Sequence, residues 1–143
     1  MKPQNYNNHA RYVTGYHFVL SLLLTVGLIV SLLNLHWHIN DSLMGVSVLI
    51  CVLFICGVFT FWFMRQFAIK AQDRAIRAEE GLRYLILSGK AFDSLLTMSQ
   101  IVALRFAPDD ELLELTARAV KENLSSAEIK KAIQNWKADH HRA

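Results

Sequence analysis

The chain has 143 residues, 53% of them apolar, with 15 Lys+Arg against 12 Asp+Glu and a formal net charge of +3. Its mean hydropathy is +0.25. The length is one domain's worth, but the composition is too apolar for an ordinary soluble domain of this size and excludes that class.

Residues 1–15 form a short N-terminal arm carrying Lys2 and Arg11. From Tyr16 to Leu35 no side chain is charged, and His17 is the only imidazole. A run of about 20 residues at ~1.5 Å rise per residue matches a hydrocarbon core of ~30 Å. A secretory signal has an h-region of only about 7–15 residues and a small-residue cleavage site. Here the run is longer and ends in "LLNLHWHIND" without an A-x-A pattern, so a retained span is the better reading. Thr14, His17, Ser21 and Thr25 fall on one stripe of this helix. Small and hydroxylated residues serve helix packing in lipid, but an intramembrane imidazole is also a functional candidate.

The loop "HWHINDS" is long enough only for a tight hairpin, so the two spans must be antiparallel neighbours. His36 and His38, with Asp41 near, offer too few ligands for a closed zinc site in one chain. "DHH" at 139–141 has the same weakness, so no metal or cofactor is expected. The second span, 43–64, holds neither charge nor imidazole. Cys51 and Cys56 lie on different faces of it and read as small packing residues. Gly45, Leu49, Cys56 and Thr60 share one face, with Gly57 beside it.

Two of the fifteen Lys/Arg precede the first span, none lies in the loop, and thirteen follow the second span. The positive-inside rule therefore places both termini in the cytoplasm. Phe59, Trp62 and Phe63 before Arg65 fit an inner aromatic belt, and Trp37 an outer one.

Neither Gly nor Pro occurs between Gly57 and Gly81, and "AIKAQDRAIRAEE" consists of strong helix formers. The second span is thus expected to continue as one helix to about Leu87, with Gly89 as a left-handed cap. Residues 65–88 become a cytoplasmic stalk. Along it Ala68, Ala71, Ala75, Ala78, Leu82 and Leu85 keep alternating spacings of 3 and 4, the pattern of a helix packed on a partner. That partner is either a second copy or the C-terminal segment folded back. Asp73 with Arg77, and Glu79 with Arg83, are spaced as i,i+4 ion pairs.

Residues 89–143 read as three short amphipathic helices. Thr97 and Gln100 have capping-box spacing, as do Ser125 and Glu128. Pro108 and the acids after it suit the start of the middle helix. Leu113, Ala117, Val120 and Leu124 form one apolar stripe, and Ile129, Ala132, Ile133 and Trp136 another. Such a unit is marginal alone and is expected to dock on the stalk. From Lys90 onward eight Lys/Arg balance eight Asp/Glu, against the basic excess of a DNA reader. No P-loop, paired-Cys motif, Gly-rich dinucleotide turn or nucleophile–base pairing is present, so no enzyme is expected.

"AQDRAIRAEEGLRYLILSGK", then "LTMSQIVALRFAPDDEL" and "IKKAIQNWKADHHR", resembles an uncharacterised family of short bacterial two-span membrane proteins, a domain of unknown function. The resemblance implies a bacterial inner-membrane location and no enzymatic role, and it offers no site residues to carry over.

The expected architecture is an all-α membrane protein: a transmembrane hairpin over 16–64, a helical stalk over 65–88 and a helical unit over 89–143. Two functions compete. One is an oligomeric inner-membrane scaffold or adaptor whose stalk and tail bind another protein. The other is a small oligomeric pore lined by the Thr14, His17, Ser21, Thr25 stripe. The partners expected are the bilayer, further copies of the chain and an unidentified protein, with no nucleic acid.

Overall fold

Strong helix formers and the near absence of internal breakers make every regular element helical. The computed structural model describes residues 4–6, 8 and 12–139. Lys2, Arg11, His140 and His141 lie outside these residues. Among the described residues there is no strand. A π-helical segment, Gly15–Leu20, leads into α1 (Ser21–Trp37), followed by α2 (Met44–Ser88), α3 (Met98–Leu104), α4 (Asp109–Lys121) and α5 (Ser126–Ala132). Two compact units divide the chain: residues 12–67, and the described residues of 1–11 together with 68–143.

In the first unit, the helix over Gly15–Trp37 and α2 are each long and apolar enough to cross a membrane. Their apolar stretches are almost wholly exposed, which separates them from the core helices of a soluble protein. They pack on each other through small and polar side chains. Ser31, Ser47 and Cys51 are buried. Ser47 Oγ donates to Asn34 Oδ1 at 2.7 Å, and Cys51 Sγ donates to the Ser31 carbonyl at 3.1 Å. A Cβ at Gly27 would overlap the Phe54 ring, so only glycine admits this approach. Further along, the Tyr16 ring stacks on Phe61 at 4.4 Å and its hydroxyl donates to the Phe61 carbonyl.

The second unit has the larger core. α2 ends as its sequence dictates: Gly89 has φ +70 and donates its N–H to the Leu85 carbonyl at 2.8 Å. Both capping boxes form, with Thr97 and Gln100 opening α3 and Ser125 and Glu128 opening α5. Asp109, Asp110 and Glu111 occupy the first turn of α4 after Pro108. α4 stops at Asn123, φ 50, where the Leu124 N–H reaches back to the Ala119 carbonyl at 3.1 Å. That is the Schellman bond, made with Asn in the glycine position. Leu96, Ile101, Leu104, Phe106, Leu112, Leu115, Ile129 and Ile133 build the core, with Tyr84, Phe92 and Trp136 packed at its edge.

Two details of the amphipathic reading need correction. On α4 the buried positions are Leu112, Leu115, Thr116 and Ala119, whereas Leu113 and Ala117 are exposed. Val120 and Leu124 stay at the edge of the core. The true stripe is rotated by about one residue, ~100° around the helix. Secondly, α5 ends at Ala132, and Ile133 is extended (φ −67, ψ 122). Tertiary acceptors take the amides that would have continued it. The Glu111 carboxylate receives the N–H groups of Gln134 and Asn135, both at 2.9 Å. The Phe106 carbonyl receives that of Lys137 at 2.8 Å. Trp136 still turns inward, its ring 4.9 Å from that of Phe106.

The N-terminal arm joins this unit. Gln4 Nε2 donates to the Asp139 carbonyl at 3.1 Å, and the Asp139 N–H returns to Gln4 Oε1 at 2.9 Å. Lys131 Nζ lies 5.6 Å from the Tyr6 ring centre. Gln4 and Tyr6 are therefore held against Asp139 and Lys131.

Candidate functional site

Residues 68–88 of α2 present two faces with opposite fates. On one, Ile76 and Glu80 are buried, and Arg83 and Tyr84 are half-buried. Arg83 is the latch to the helices that follow. Its Nε donates to Asp109 Oδ1 at 2.6 Å, its Nη2 to the Ala107 carbonyl at 2.8 Å and its Nη1 to Glu80 Oε2 at 2.9 Å. A guanidinium suits this place because its planar fork serves three acceptors at once. Tyr84 stacks on Phe92 at 4.6 Å and covers the turn between α2 and α3. The expected Glu79–Arg83 pair does not form. An exposed i,i+4 pair is worth only ~0.3–0.5 kcal/mol, too little to hold Arg83 away from a desolvated carboxylate and a backbone carbonyl. Among the described residues no ion pair joins Asp73 to Arg77.

The other face carries the predicted seam. Ala68, Ala71, Ala75, Ala78, Leu82 and Leu85 are all exposed within the single chain. Leu82 is 60% exposed and Ile86, beside it, 74%. At ~100° per residue, this seam lies about 150° around the helix from the Ile76–Glu80 face. The C-terminal helices fold back on α2, but they leave the seam uncovered.

The polar stripe of the first helix is committed to its own backbone. Ser21 Oγ donates to the His17 carbonyl at 2.6 Å and Thr25 Oγ1 to the Ser21 carbonyl at 2.8 Å. His17 Nδ1 lies 3.1 Å from the Val13 carbonyl, and Thr14 is exposed. On α2, Gly45, Leu49, Cys56 and Thr60 are exposed, Cys56 and Thr60 at an open groove shared with Tyr16, Leu20 and Leu24, and the close packing falls to Ser47, Cys51, Phe54, Gly57 and Phe61. In the loop His38 Nδ1 lies 2.8 Å from the Asn34 carbonyl, and Asp41 is occupied by Ser42. Among the described residues no group of three or more His, Cys, Asp or Glu side chains converges.

Several residues hold the second unit through contacts that no motif in the sequence records. Buried Gln100, besides its capping role, donates Nε2 to the carbonyls of Leu124 at 2.9 Å and Ala119 at 3.3 Å, tying the start of α3 to the end of α4. Arg105 is buried, its guanidinium carbon 4.7 Å above the Phe106 ring and its Nη1 3.3 Å from Asp139. Of the usual signals only the capping-box spacing pointed to any of these.

These features define a class: an all-helical protein with two helices apolar enough to cross a membrane and a helical unit built on the continuation of the second. The chain belongs to the Family of unknown function (DUF6526), whose model matches residues 1–143. No curated protein and no solved structure matches it.

Proposed function

We propose that this protein is an oligomeric scaffold or adaptor of the bacterial inner membrane, acting through its cytoplasmic stalk and helical tail. The observation that carries the reading is the exposed Ala68–Leu85 seam, an apolar helix face outside the most apolar stretch and opposite the face already occupied by the chain's own helices. Exposed apolar surface of this kind marks an interaction site. The hairpin anchors the chain, and the Lys/Arg distribution orients it with both termini in the cytoplasm. The decisive experiment is mass measurement of complexes released directly into nanodiscs. Assemblies heavier than the 16.3 kDa chain are expected, and a strict monomer refutes the reading. For orientation, a cysteine at Asn40 in a Cys51→Ser/Cys56→Ser background should react with an impermeant reagent on intact cells, and one at Ser126 should not. The reverse pattern refutes the assigned sidedness.

A further inference from the structure

We propose that the exposed seam of α2 pairs in parallel with the same seam of a second copy, and that its register is set by Arg74 of one copy against Glu79 of the other. This deepens the scaffold reading and rests on it. Three observations point to a second copy. First, the chain's own helices are excluded as the occupant, because they already dock through Arg83 and Tyr84 on the far side of α2.

Second, the charges beside the seam are complementary only in one arrangement. With Ala68, Ala75 and Leu82 at a and Ala71, Ala78 and Leu85 at d, Arg74 falls at g and Glu79 at the following e. In a parallel pair a g residue meets the e residue of the next heptad on the partner helix. Arg74 therefore meets Glu79 of the second copy, twice by symmetry. In an antiparallel pair g positions face g and e positions face e, so Arg74 and Glu79 do not meet in any register. Both side chains are exposed, and among the described residues neither forms an ion pair.

Third, the seam continues a helix whose preceding segment is apolar enough to cross a membrane. Copies inserted with one orientation present the seam at the same height and in the same direction. Confinement to one bilayer then raises the effective concentration of each seam for the other. Ala at four positions lets the backbones approach closely, and Leu82, Leu85 and Ile86 supply the apolar area at the far end.

The test uses the full chain in nanodiscs, in the Cys51→Ser/Cys56→Ser background. Ala78→Cys stands on the seam and Arg77→Cys, also exposed, stands off it. Disulfide formation between copies should be at least ~10-fold faster at Ala78→Cys, since d residues face each other across a parallel pair. Adding Arg74→Glu should slow it roughly 3–10-fold by replacing two attractive pairs with repulsive ones. Adding Glu79→Arg as well should restore it. Equal rates at 77 and 78, or a charge swap that stays as slow as the single change, overturns the proposal. A failed cross-link with a nanodisc mass above one chain overturns this pairing and leaves the scaffold reading standing. A strict monomer ends both.

Discussion

Arg83→Leu tests whether the C-terminal helices belong to the stalk. The side chain is only 13% exposed, and Glu80, its partner on the same helix, only 9%. Removing one member of a buried ion pair costs about 3–5 kcal/mol, because the other is left desolvated and unpaired. The contact with Asp109 adds little, since that carboxylate is 67% exposed and well screened. The Ala107 carbonyl also loses its charged donor. With Glu80 keeping some access to water, the expected loss is about 2–4 kcal/mol. Arg83→Leu/Glu80→Leu removes both charges and should recover most of it, because no stranded carboxylate remains. The assay is urea unfolding followed by Trp136 fluorescence, with Trp37 and Trp62 replaced by Phe. Trp136 packs on Phe106, next to the carbonyl that Arg83 holds. A single variant within about 0.5 kcal/mol of wild type, or a double variant as unstable as the single, refutes the account.

Trp136→Ala should cost about 2–4 kcal/mol, below the full range for a large aromatic because the ring sits at the edge of the core. In the wild type its emission should be blue-shifted and poorly quenched by iodide; red-shifted, freely quenched emission would contradict the packing. Gly89→Ala should cost ~1 kcal/mol through the left-handed backbone alone, since nothing lies within 4 Å of the added methyl; an unchanged urea midpoint would count against it. The hydrogen bonds from the Ser125 side chain and backbone hold the Glu128 carboxyl below its ordinary range. Its contribution to α5 is therefore fully present above the ordinary carboxylate range and is lost as the pH falls through the lowered value. A carboxyl ¹³C titration checks the direction, and a Glu128 midpoint at or above the ordinary value would refute it.

Features that depend on a few consecutive residues are legible in the sequence alone. The apolar runs, the unbroken α2, the Gly89 cap and the two capping boxes each follow from neighbouring side chains and backbone sterics. The tertiary structure decided the choices between locally equivalent options. Around α4, two apolar stripes about 100° apart compete, and only the positions of α3 and α5 select Leu112 over Leu113. Arg83 had a suitable acid four residues back, yet a buried carboxylate and a distant carbonyl prevailed over an exposed neighbour. α5 ended early because Glu111 and the Phe106 carbonyl captured its amides from outside the helix. The seam shows both levels together: its spacing is a property of the sequence, but its exposure depends on which other face of α2 the chain covers itself. A linear pattern records what a helix face can bury, and only the folded chain determines which faces are already filled.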